Sequence, residues 1–149
     1  MSIGMWHYHT LQYVVKMAAF YATVHGASCA NASNSCQVHL SDVATILKTN
    51  AIGIPASEIQ VTWTACQDST CGTTDSQTCW LDHCISDSTY TAMIWPPSGY
   101  NNPGTSEIKI RADYLFKSAL CMVAPGPGAG PVRFGQFHLP GYTHQIMLF

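Results

Sequence analysis

The chain has 149 residues, of which only 9% are charged, and its formal charge is −2. Ordinary soluble domains carry about 25% charged residues. Six Lys and Arg scattered along the chain cannot form the basic patch that phosphate neutralisation needs, which excludes nucleic acid as a partner. A surface so short of like-charge repulsion is expected to associate with copies of itself or with partners.

The length suits one domain with a sizeable core. Residues 5–24 read as a helix, because Leu11, Val14, Val15, Ala18 and Ala22 recur at three- and four-residue spacings and form an apolar stripe. Trp6, Tyr13 and Phe20 recur every seven residues on a different face, and Met17, Tyr21 and Val24 fill much of the remainder. Before Asp42 the only charged side chain, histidines aside, is Lys16. A helix apolar on nearly every face must be buried on all sides, in a core, a membrane or an assembly. A membrane span would need about 20 apolar residues, and His7, His9, Gln12 and Lys16 interrupt this one. Gly26 stands where a helix end favours a left-handed residue.

Residues 27–38 read as a polar loop, and Asn31-Ala32-Ser33 matches the N-glycosylation pattern. Ser41 is the expected N-cap of a second, short helix, with Asp42 in its first turn and Gly53 and Pro55 stopping it near Asn50. The period then changes to two. Ile59, Val61 and Trp63 alternate with Gln60, Thr62 and Thr64, the pattern of a half-buried strand. Residues 66–84 are polar and hold four cysteines, giving a long loop or irregular hairpin ordered by cross-links. A strand is expected over 90–95, a turn over 96–104, and a strand through Ile108, Ile110, Ala112 and Tyr114. A loop over 124–131 and two short strands, over 132–139 and 143–148 with His138 and His144 flanking their hairpin, complete the chain. The expected fold is α+β: a long N-terminal helix and one short helix packed on an antiparallel β-sheet.

Seven cysteines fall at positions 29, 36, 66, 71, 79, 84 and 121. Low charge and Thr/Ser/Asn-rich loops favour an exported protein, in which Cys29, Cys36, Cys66, Cys71, Cys79 and Cys84 are disulfide candidates of open connectivity. Cys121 is then buried and inert, or free for an inter-subunit bond. Residues 1–4 lack the start of a secretory signal, so the chain is expected to be mature or truncated, or to carry its export information further along. Zinc is the rival for Cys66, Cys71, Cys79, His83 and Cys84. Their spacings are wider than a zinc knuckle, and adjacent His and Cys rarely ligate one structural ion, so no metal and no cofactor is expected. His7, His9 and His25 read as partly buried helix histidines.

Catalysis is not expected either. Glu58 and Glu107 are the only glutamates, each at a strand start where a solvated role is the default, and no nucleophile elbow, phosphate-cradling loop or HExxH helix occurs.

Residues 6–11 (Trp-His-Tyr-His-Thr-Leu) and 16–26, ending in Tyr21-Ala22-Thr23-Val24-His25-Gly26, resemble the helix of TadE-like pseudopilins. The segment Ile108-Lys109-Ile110-Arg111-Ala112-Asp113-Tyr114-Leu115-Phe116 is similar to a family strand, and Pro125-Gly126 and Phe137-His138-Leu139-Pro140-Gly141 to its last hairpin. The resemblance implies a pilin-like fold and a minor structural component of a tight-adherence (Flp-type) pilus. It would be exported across the inner membrane of a bacterium to the cell surface, touch the membrane before assembly, and join other pilus components. The family's preceding hydrophobic span, its prepilin-peptidase site and an arginine replaced by Phe20 depart from that pattern. The expected division is an assembly helix, 1–26, and a globular part, 27–149. The helix forms a homo-oligomer or filament through Trp6, Leu11, Tyr13, Val14, Met17, Phe20, Tyr21 and Val24. The competing class is a secreted binding module anchored by Tyr90, Trp95 and Tyr100.

Overall fold

The computed structural model describes residues 3–25, 30–31, 34–35, 38–100, 102, 104–117 and 136–147. Helix α1 (Ile3–Val24) comes first. The two-residue strands β1 (Ala30–Asn31) and β2 (Asn34–Ser35) pair antiparallel, and α2 (Leu40–Asn50) follows. Strands β3 (Ile59–Cys66) and β4 (Thr74–Trp80) form a hairpin, succeeded by the short helices α3 (Leu81–Ser86) and α4 (Ser88–Thr91). Two eleven-residue strands, β5 (Glu107–Lys117) and β6 (Gln136–Ile146), close the fold. The main sheet runs β4-β3-β5-β6, antiparallel throughout, so the expected α+β class of a long helix and short helices on an antiparallel sheet is the observed one.

Alternation decides which face of the sheet is covered. Ile59, Val61, Trp63 and Ala65 of β3, and Ile108, Ile110, Ala112 and Tyr114 of β5, all point at the helices and are buried. They meet Leu11, Val14, Val15, Ala18, Ala19 and Ala22 of α1 and Val43, Ala44 and Leu47 of α2. Helix α1 lies chiefly over β6, with α2 beside it. Trp63 meets Trp95 edge to face, with centroids 5.6 Å apart, at the heart of this layer. On the other face Thr62 and Thr78, and Thr64 and Ser76, join hydroxyls across β3 and β4.

Four local expectations are corrected. The N-cap of α2 is His39, not Ser41: the Asp42 carboxylate accepts a 3.0 Å bond from the His39 N–H and so fixes the helix start two residues earlier. Of residues 66–84, expected as a long loop or an irregular hairpin, only 67–73 are loop; they turn a regular hairpin whose second strand, β4, is in register with β3 from Gln60↔Trp80 to Cys66↔Thr74. The strand expected over 90–95 is absent. Asp87 caps the turn of helix α4 through a 2.8 Å bond from the Thr89 N–H, and only Ile94 makes a single bridge, to His39. The two short C-terminal strands are one strand, β6, that runs through Pro140 and Gly141, with both His138 and His144 on it. Proline is tolerated there because β6 is an edge. The loop expected over 124–131 lies outside the described residues.

Candidate assembly surface

Helix α1 buries one stripe and exposes another. Leu11 and Val14, expected in an assembly interface, are fully buried in the chain's own core and cannot meet a partner without unpacking α1. Tyr21 and Val24 are half-buried, and Tyr21 stacks on His25 with ring centroids 4.3 Å apart. The remaining four expected contacts are open to solvent: Trp6 is 43% exposed, Tyr13 59%, Met17 41% and Phe20 57%. Sequence reasoning missed Ile3 on the same helix and Ile52 just beyond α2, both more than half exposed. A signal for Ile3 was present, because positions 3, 6, 10, 13, 17, 20 and 24 are spaced three and four apart without a break, the repeat of a coiled-coil seam.

The seam is held in place from below. Pro140-Gly141 passes directly under α1, where a Cβ on Gly141 would lie 2.9 Å from Leu11 Cγ and 3.1 Å from the Leu11 carbonyl oxygen. Beside it the Gln12 amide donates a 3.0 Å bond to the Pro140 carbonyl. At the N-terminal end the Trp6 ring lies over Gly53, whose φ of +79° is a left-handed conformation. Trp6, His9, Thr10 and Tyr13, with Asn50 and Ile52 from the end of α2, wall an open groove of about 390 Å³.

His7 is on the covered side. It is buried between Tyr114 and Phe116, each ring 5.5 Å away and edge-on, and its Nδ1 has no hydrogen-bond partner. Burial holds its pKa below the ordinary imidazole value. No described helix is long and apolar enough to cross a membrane.

Of the disulfide candidates, Cys66 bonds Cys71 and Cys79 bonds Cys84. These bonds take up the cysteines of the zinc alternative, and no metal-binding cluster occurs among the described residues. Two disulfides fit an oxidising, extracellular environment. Cys29, Cys36 and Cys121 lie outside the described residues. Glu107, read as solvated, is instead buried under the Cys66–Cys71 turn, 2.7 Å from His144 Nε2 and 4.0 Å from Lys109 Nζ. Glu58 is half-exposed in the one-turn helix Ala56–Glu58. Trp95, an anchor of the competing binding-module reading, is buried against Trp63 and offers nothing to a ligand. No family model, curated protein or solved structure matches the chain.

Proposed function

We propose that the chain is a structural subunit of an extracellular filament, a TadE-like pseudopilin that self-assembles through the outer face of α1 and performs no catalysis. The observation that carries this reading is the seam itself. Soluble monomers rarely leave a contiguous row of large apolar side chains open to water, and such rows mark interaction sites. Trp6, Tyr13, Met17 and Phe20 form that row on a helix anchored to the sheet by its other side. Two local disulfides suit a part that works outside the cell.

Electron microscopy of the purified chain, alone and mixed with pilus components, tests the reading. Filaments are expected from the natural sequence and dispersed particles from Tyr13→Glu. Dispersed particles from both, at concentrations up to about 1 mM, would reject self-assembly into filaments.

A further inference from the structure

The groove on α1 and the side chain best shaped to enter it are on the same helix. Trp6, His9, Thr10 and Tyr13 stand at i, i+3, i+4 and i+7, the four corners of a hole that receives a knob from a facing helix. Two turns further along, Phe20 projects from the same seam, 57% exposed. We infer that two copies of this chain pair antiparallel through α1 about a two-fold axis, each Phe20 entering the Trp6–Tyr13 hole of the other.

The sizes along the seam select that orientation. Its aromatic positions are Trp6, Tyr13 and Phe20, and the seam positions that follow each of them, Thr10, Met17 and Val24, hold no aromatic. Antiparallel pairing sets position 6 against 24, 10 against 20 and 13 against 17. Every aromatic then meets a smaller side chain, and the axis passes between Tyr13 and Met17. Parallel pairing would set Trp beside Trp, Tyr beside Tyr and Phe beside Phe, and would give the Trp6–Tyr13 hole only the small Thr10 as its knob. The antiparallel contact is isologous, so it closes on itself as a dimer and does not propagate.

The area suffices for a weak dimer. Large side chains carry ~200 Å² each. Trp6, Tyr13, Met17, Phe20 and the groove-lining Ile52 are between 41% and 70% exposed. Together they offer roughly 500 Å² per copy and about 1,000 Å² in total, the size of a weak, transient interface. Lys16 flanks the seam near the axis and is the only Lys, Arg, Asp or Glu of α1, so the two copies bring like charges together. Salt therefore tightens this dimer. The contact uses the face assigned above to filament growth, but it does not depend on growth. It holds subunits in reserve with their seams covered.

Sedimentation velocity across micromolar concentrations, with filaments removed, reads the association. Reversible dimers are expected, with Phe20→Ala and Thr10→Trp each weakening association at least tenfold while the far-ultraviolet circular dichroism is kept. Lys16→Gln strengthens it and removes its response to salt. Orientation is read by photocrosslinking a Phe20→benzoylphenylalanine chain in a mixture of isotopically light and heavy copies. Intermolecular adducts on residues 6–13 support the antiparallel dimer, and adducts on residues 17–24 overturn it. A natural chain that is monomeric up to about 0.5 mM, or dimers indifferent to both Phe20→Ala and Thr10→Trp, also overturns it. The filament reading fails separately, when no filaments form although dimers do.

Discussion

At Gly141 a single methyl group would meet Leu11 Cγ at 2.9 Å, the Leu11 carbonyl oxygen at 3.1 Å and Val15 Cγ2 at 3.1 Å. A leucine tip can turn away, but a helix carbonyl cannot move without its helix. Gly141→Ala should therefore push α1 off β6 and cost about 2 kcal/mol, a fall in melting temperature of about 6 °C for a chain of this length. Differential scanning calorimetry checks this. Pairing it with Leu11→Ala should not restore stability, because the carbonyl contact persists and a cavity is added.

His7 supplies the second residue-scale prediction. Its Nδ1 is unpartnered among aromatic rings, and burial lowers its pKa below the ordinary imidazole value of 6.5. As pH falls through that value the unfolded chain takes up a proton that the folded chain resists. The stability His7 contributes is thus complete above the unfolded pKa and is lost as pH falls below it toward the lowered folded value. His7→Phe keeps the rings packed and removes the titration. Urea midpoints should therefore decline less between pH 7 and pH 5 in this variant than in the natural chain. Equal declines would mean that His7 is solvated in solution.

At the scale of elements, what the sequence disclosed follows its periodicity. Helix α1, β3 and β5 were legible because their apolar residues recur at 3.6 or 2 and one face of each is covered. Strand β4 was not, because Thr74–Thr78 are polar on both faces of an edge strand and carry no alternation to read. In β6, Pro140-Gly141 has the composition of a turn but works as a close-approach point under a helix. The outward seam was half legible. Leu11 and Val14 joined it wrongly because α1 has two apolar stripes, and only packing against β6 decides which one faces in. The hairpin's two disulfides differ in access despite equal sequence separations of 5. Cys79 and Cys84 are both buried, whereas Cys71 is half-exposed in the turn beside Lys109, whose Nζ lies 2.8 Å from its sulfur. An attacking thiolate needs that access, so mild reductant should open Cys66–Cys71 before Cys79–Cys84. Alkylation followed by peptide mass mapping gives the order, and prior labelling at Cys79 or Cys84 would contradict it.

For the whole molecule, the subunit proposed above poses the question of how a chain with so apolar an outer helix face stays dispersed. With 9% charged residues, net repulsion between copies is weak, so on the proposed filament reading the seam must be covered until assembly. The inferred closed dimer would cover it, while filament growth through the same face would require single chains with the seam free. Mass action then fixes the kinetics. Where nearly all chains are dimeric, free monomer rises only as the square root of total concentration, and so does the elongation rate from preformed seeds. Well below the dimer dissociation constant the rate becomes proportional to total concentration. Lys16→Gln, which tightens the dimer, should extend the square-root regime to lower concentrations and slow growth at every concentration within it. Light scattering of seeded samples over a hundredfold range of chain concentration measures the order directly. An order of one throughout, in a chain that sediments as a dimer, would mean that dimers add to filaments intact and that their seams are not the surface filaments use.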